Sequence, residues 1–189
     1  MAGLLYLLEE VNGLTSQEFL QVFVNVVEDR PDVARHVAAL RPFSGVEQLT
    51  DAALLYLDTL SLEENMLFYR LSHRYLFHTG KEEVLRCHPD LAGRLAEEGK
   101  LTAESAREQH AAGLHKLTPE DKRDIDQLNK RYKEKFGFPF VICARENKAN
   151  AILLGLKRRV DNSKDCELEE GIQEVKKICR LRICELVSL

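Results

Sequence analysis

An all-α fold is what this sequence predicts, and three observations predict it. Apolar residues recur at three- and four-residue spacing along most of the chain, and helix-start signals precede those runs. Only one short stretch, Phe138–Ala144, has a strand-like composition, and a lone strand cannot found a sheet. The expectation is a single-domain helical bundle of about eight or nine helices spanning residues 1–189.

The elements follow in order. Thr15-Ser16-Gln17-Glu18 reads as a capping box, and Phe19, Phe23, Val26 and Val27 then make one apolar stripe. Pro31 suits the first turn of a new helix, and Val33, Val37 and Leu40 continue it. Ser44-Gly45-Val46-Glu47 reads as a second capping box ahead of Leu49, Ala53, Leu54 and Leu57. Thr102 is a cap for a short helix starting near Ala103. Thr118-Pro119-Glu120-Asp121 joins a cap, a first-turn proline and acids that favour the positive end of the helix dipole. Ile125, Leu128, Tyr132 and Phe136 share the face that follows, and Gly137 is placed to end the helix. A last helix covers Cys166 to Leu186, with Leu168, Ile172, Val175, Cys179 and Leu186 inward, after a polar connection at residues 161–165.

Composition narrows the function classes. With 44% hydrophobic and 31% charged residues the chain can build a core and stay in solution. A net charge of −4 argues against a nucleic-acid binder, which carries a basic face. No apolar run reaches the ~20 residues that cross a bilayer, and Met1–Tyr6 lacks the basic region and cleavage site of a signal peptide. The 5 cysteines are odd in number and form no C-x-x-C pair, so free thiols in a reducing compartment are expected, with neither a disulfide framework nor a zinc site.

The most informative stretch is Leu85-Arg86-Cys87-His88-Pro89-Asp90-Leu91-Ala92-Gly93. Pro89 fixes its own φ and biases His88 away from the α region, which sets the imidazole at a defined kink. A held imidazole titrating near neutrality suits proton transfer, although a histidine beside a proline more often just occupies a turn. Other histidines offer less: His73 and His78 are five apart and do not share a helix face as paired metal ligands do.

Four segments in this order carry a resemblance to a known family. They are Arg41-Pro42-Phe43-Ser44, the Leu85–Gly93 stretch, Ser105-Ala106-Arg107-Glu108-Gln109 leading to Ala112-Gly113-Leu114, and Phe136-Gly137-Phe138-Pro139-Phe140-Val141-Ile142-Cys143-Ala144-Arg145. On them the chain resembles the 2-oxo-4-hydroxy-4-carboxy-5-ureidoimidazoline (OHCU) decarboxylases, from about Glu10 to about Glu185. The resemblance implies an all-helical enzyme, a homodimer, working without metal or organic cofactor on a small-molecule substrate in urate breakdown to form (S)-allantoin. It implies a proton donor at His88 and substrate contacts at Pro89, at Ser105, Ala106, Arg107, Glu108 and Gln109, and at Phe140, Val141, Ile142, Cys143 and Ala144.

The residue types suit that chemistry. The substrate ring can take up the electron pair left by CO₂ in its adjacent C=N bond, a sink other decarboxylases borrow from a cofactor. The protein has to orient the carboxylate, stabilise the enol-like intermediate and protonate one face. His88 matches the proton step with an ordinary pKa of ~6.5. Glu108 would accept from ureido N–H groups or orient His88, and Gln109 offers both a donor and an acceptor. Ser105 and Glu108 are three apart and share a helix face. Gly137 and Pro139 keep Phe140–Ala144 out of a helix, which leaves its backbone groups for a ring edge.

Two features depart from the family pattern. Residues 61–80 lengthen a normally short connection with an aromatic, amphipathic stretch just ahead of His88. A second reading is therefore a catalytically impaired helical interaction protein on the same scaffold, with this insertion as its contact surface. A third, a metal-dependent cyclic-amide hydrolase, would need a ligand cluster that the sequence does not offer. The family also implies a peroxisomal location, otherwise the cytosol, while the tail Val187-Ser188-Leu189 keeps only the last residue of an S-K-L signal.

Overall fold

Threonines start three of the helices, as their spacing predicts. Thr15 Oγ1 accepts from Glu18 N at 3.2 Å while Glu18 reaches back to Thr15 N at 2.8 Å. The Thr15 hydroxyl, donating to the Glu18 carboxylate at 2.7 Å, and then the Thr15 N–H hold that carboxyl below its ordinary value of 4.5. Thr102 accepts from Ser105 N at 3.3 Å, and Thr118 from Asp121 N at 3.1 Å. Each satisfies an amide that the first helical turn leaves without a partner.

The computed structural model describes residues 5–60 and 80–188. Their helices are α1 (Leu8–Gly13), α2 (Ser16–Phe23), α3 (Pro31–Ala39), α4 (Val46–Thr59), α5 (Gly80–Arg86), α6 (Arg94–Glu97), α7 (Ala103–Ala112), α8 (Pro119–Phe136), α9 (Ala149–Arg159) and α10 (Lys164–Leu186). Short 3₁₀ turns lie at Leu114–Lys116 and Ala144–Glu146. Among the described residues there is no strand, and Tyr6 and Val187 make one isolated bridge. The fold is all-α. No described helix is long and apolar enough to cross a membrane. Apart from Gly80, which opens α5, the inserted segment at 61–80 lies outside the described residues, as do His73 and His78.

Backbone contacts divide the chain into two compact units, Met1–Val84 with Lys176–Leu189, and Leu85–Val175. In the first, α2 packs on α3 and α3 on α4. Its core holds Val11, Phe19, Phe23, Val27, Val33, Ala34, Leu49 and Leu57, none more than 1% exposed. Two buried charges are paired, Arg182 with Glu28 at 2.8 Å, and the same guanidinium also donates to Asn25 O at 2.9 Å. Asn12 takes both backbone groups of Phe43, donating to its carbonyl at 2.9 Å and accepting from its N–H at 2.8 Å.

The second unit holds the remaining motif segments. Its core gathers Leu85, Ile125, Tyr132, Phe136, Phe138, Phe140, Ile152, Leu156, Ile172 and Val175. Tyr132 lies 4.5 Å from Phe136 and edge-on to Phe140 at 5.5 Å, ring centre to ring centre. Gly137 ends α8 at φ +81°, a left-handed position that glycine takes without penalty, and its N–H returns to Lys133 O at 2.9 Å.

Three local expectations are corrected. Gly45, not Ser44, stands at the cap of α4, and Ser44 N–H instead reaches Gln48 Oε1 at 2.7 Å, so no capping box forms there. Leu40 falls past the end of α3 and is exposed. On α8 the buried stripe runs Ile125, Asn129, Tyr132, Phe136, leaving Leu128 half-buried at its edge. The true helical period places position 129 at the centre of the stripe.

Candidate active site

His88 stands two residues after the end of α5, where its N–H still accepts the helical geometry by donating to Leu85 O at 3.1 Å. Pro89 then forbids the helix from continuing. The imidazole is 7% exposed, and its Nε2 is shielded from solvent. Beyond it the loop Asp90–Gly93 turns sharply, with Ala92 at φ +52° and Gly93 N–H donating to Asp90 O at 3.3 Å. A Cβ on Gly93 would sit 2.7 Å from Asp90 Cβ, so only glycine closes this turn.

Helix α7 presents Ser105, Gln109 and Ala112 to the interior, with Glu108 half-buried beside them. Gln109 Oε1 accepts from Ala92 N at 2.9 Å. That bond fixes the amide orientation: the acceptor of Gln109 goes to the His88 loop, and Nε2 remains as the group to offer a ligand. Ala106 and Arg107 lie on the solvent face of α7, and Arg107 approaches Glu104 at 3.7 Å.

The third segment, Phe138–Cys143, is extended but pairs with no strand. Its polar backbone is satisfied by side chains instead. Arg159 Nη1 donates to Val141 O at 2.8 Å, and Glu174 Oε2 accepts from Cys143 N at 2.8 Å. Arg159 itself lies 4.6 Å above the Phe140 ring and pairs with Glu167 at 3.0 Å. Glu167 also accepts from the Tyr132 hydroxyl and from Asn162 Nδ2. Burial, and then the bond to Glu167, push the Tyr132 hydroxyl far above its ordinary value, so it stays a donor. Val141 O and Cys143 N are thus engaged by side chains on either side of Ile142, whose own N–H and C=O are the next backbone groups in line. Among the described residues neither of those two groups is engaged. The Cys143 thiol is pushed up by burial, which keeps it protonated and inert.

Direct contacts tie the three segments together. Arg86 Nε donates to Gly137 O at 2.9 Å, joining the helix before His88 to the start of the extended segment. The Gln109–Ala92 bond joins α7 to the His88 loop, and α7 packs on the turn Ala144–Glu146. Lys133 Nζ meets Asp90 Oδ2 at 2.8 Å, and Asn129 Nδ2 donates to Leu91 O at 3.0 Å. Sequence reasoning missed Asn129, Arg159 and Glu174. Each is a polar or charged residue inside an apolar helical stripe, and that was the available signal.

Residues 12–184 match the model of the OHCU decarboxylase family. The chain belongs to this family. It is 41% identical over 179 residues to the 2-oxo-4-hydroxy-4-carboxy-5-ureidoimidazoline decarboxylase of Xenopus laevis, covering 95% of this chain and 93% of that one. Its fold is similar to a crystallised (S)-allantoin synthase, with a TM-score of 0.70, 19% identity, 96% of this chain covered and 54% of the other. The chain thus spans about half the length of that crystallised protein. It is also similar to an OHCU decarboxylase crystallised in the presence of (S)-allantoin, with a TM-score of 0.59, 22% identity, 82% of this chain and 89% of that one.

Proposed function

We propose that this protein decarboxylates OHCU to (S)-allantoin in urate breakdown, without a metal or organic cofactor, using His88 as proton donor. The observation that carries the reading is the tying of three family segments into one unit around a shielded imidazole. The bond from the ring to the carboxylate carbon breaks and CO₂ leaves. Its electron pair forms a double bond to the ureido-bearing carbon, whose C=N electrons move onto nitrogen. The nitrogen takes a proton from solvent, His88 protonates the ureido-bearing carbon on one face, and the ring hydroxyl gives its proton back to His88 as it becomes the carbonyl. Pro89, Ser105, Glu108, Gln109 Nε2 and the backbone of Phe140–Ala144, above all Ile142, hold the planar polar ring. The side chains of Ala106 and Arg107 face solvent and Ala106 N–H is spent on Thr102 O at 2.9 Å, so in this reading the two serve by carrying Ser105, Glu108 and Gln109 on the same helix.

The test follows CO₂ release and optical rotation on freshly generated OHCU. Native protein is expected to give (S)-allantoin faster than spontaneous decay, and folded His88→Asn to lose both rate and enantioselectivity. Spontaneous kinetics with folded native protein would overturn the assignment. The same family reading carries a homodimer and a peroxisomal location. Light scattering after size exclusion should give twice the 21.6 kDa of one chain, and a fluorescent fusion should co-localise with a peroxisomal marker.

A further inference from the structure

We propose that Asn129 is a positioning residue for His88, acting through the peptide plane between Leu91 and Ala92; the proposal rests on the reading of His88 as proton donor. That one peptide is held at both of its polar atoms by two different helices. Asn129 Nδ2, from α8, donates to its oxygen at 3.0 Å. Gln109 Oε1, from α7, accepts from its nitrogen at 2.9 Å. A peptide plane fixed at oxygen and nitrogen together has no remaining freedom to tilt. The residue after it, Ala92, has a left-handed φ of +52°, a conformation an alanine keeps only where its surroundings impose it. At the other end His88 N–H is anchored to Leu85 O. Only Pro89 and Asp90 lie between His88 and the clamped peptide, and Asp90 is held by Lys133. The imidazole therefore hangs on a short loop fixed at both ends.

Asn129 is otherwise a costly choice for its position. It is 5% exposed at the centre of the Ile125–Tyr132–Phe136 stripe, where a leucine would pack. Its Oδ1 is buried and takes no hydrogen bond among the described residues. Turning the amide over would face Oδ1 to the Leu91 oxygen, so the orientation is set by chemistry. The side chain supplies one thing, a donor to Leu91 O.

Asn129→Asp keeps the shape and removes that donor while the carboxylate is ionised. Burial and the facing carbonyl raise the pKa of such a carboxyl, and its protonated form donates again. With freshly generated OHCU, the variant is expected to lose about 10–100-fold in kcat at pH 8, the penalty of a slightly misplaced reacting group. KM should stay within about threefold, because the ligand contacts lie elsewhere. The variant-to-native kcat ratio should climb as pH falls toward 5.5, and the enantiomeric purity of allantoin should recover with it. Asn129→Ala, which cannot regain a donor, should show low kcat and reduced enantiomeric purity at every pH, and it decides the matter if the aspartate variant does not fold. The proposal is overturned if the alanine variant has native kcat. It is equally overturned if a folded aspartate variant keeps a constant ratio across pH. His88→Asn runs in parallel. Its retention of native turnover would sink the proton-donor reading itself, whereas its inactivity beside unaffected Asn129 variants would sink only this proposal.

Discussion

Replacing Arg159 by methionine should destabilise the protein by about 3–5 kcal/mol, the cost of leaving one member of a buried ion pair uncompensated. The side chains of Arg159 and Glu167 are 2% and 0% exposed, so water cannot substitute for the missing guanidinium. Glu167 would retain Tyr132 and Asn162, and Val141 O would lose its donor, a loss that overlaps the first and does not simply add. For a chain of this size each kcal/mol corresponds to about 2–4 °C in Tm, so a fall of about 6–20 °C is expected. Arg159→Met combined with Glu167→Gln removes the stranded charge and keeps an acceptor for Tyr132. The double variant should therefore be more stable than Arg159→Met alone, by about 1 kcal/mol or more. Urea midpoints followed by circular dichroism, at constant slope, measure both quantities. A single variant within about 1 kcal/mol of native, or a double variant less stable than Arg159→Met, would refute the claim that a desolvated charge pair organises this unit.

Further outcomes follow from individual groups. Exposed Cys166 and Cys184 should alkylate first at pH 7.5 and half-buried Cys87 more slowly. Cys143 and Cys179, the latter pushed up to about 12 by burial, should react only after unfolding, as peptide mass mapping would show. Burial raises the Asp32 carboxyl, but the bonds and charge of Arg30 and the bond from Tyr56 outweigh it and leave it below its ordinary 3.8. Its folded pKa being depressed, its contribution is full above about pH 5 and is lost as pH falls through the folded value. Asp32→Asn should therefore make the loss of stability below about pH 5 less steep and leave the shape of the curve above that pH unchanged. Gly171→Ala would place a Cβ 2.9 Å and 3.0 Å from the terminal carbons of fully buried Leu85. Overpacking of about 1–3 kcal/mol should exceed the helix-propensity gain of about 1 kcal/mol, and adding Leu85→Val should restore part of the loss in Tm.

What was legible in the sequence was whatever depends on neighbours a few residues apart. Thr15, Thr102 and Thr118 cap their helices because a cap needs only its own side chain and an amide three residues on. Even this local logic failed at Ser44, where Gln48 competed for the same N–H. The motif segments were found by resemblance, yet the groups that hold them were not. Asn12 reaches Phe43 across 31 positions, Asn129 reaches Leu91 across 38, and Glu174 reaches Cys143 across 31. No periodicity encodes such pairings. Their only trace is a polar residue where the helical period demands an apolar one, and reading Leu128 as the inward residue concealed that trace at Asn129.

The extended segment shows why those distant polar residues are buried. Phe138–Cys143 has strand-like composition but no strand beside it, so its buried N–H and C=O groups need partners from elsewhere. A β-neighbour would have satisfied one edge uniformly and left a second edge of the same kind. Side chains satisfy selected atoms instead: Arg159 takes Val141 O and Glu174 takes Cys143 N. The charges of Arg159 and Glu167 are then neutralised by each other, and Tyr132 completes the set with a hydroxyl held as a donor. The result is a length of backbone braced by side chains, in which the N–H and C=O of Ile142 are unengaged among the described residues. An all-helical protein has few exposed backbone pairs to offer a ligand, since its helices use their own internally. Breaking the helix at Gly137 and Pro139, and bracing the break with buried charges, leaves such a pair at Ile142 outside any helical ladder.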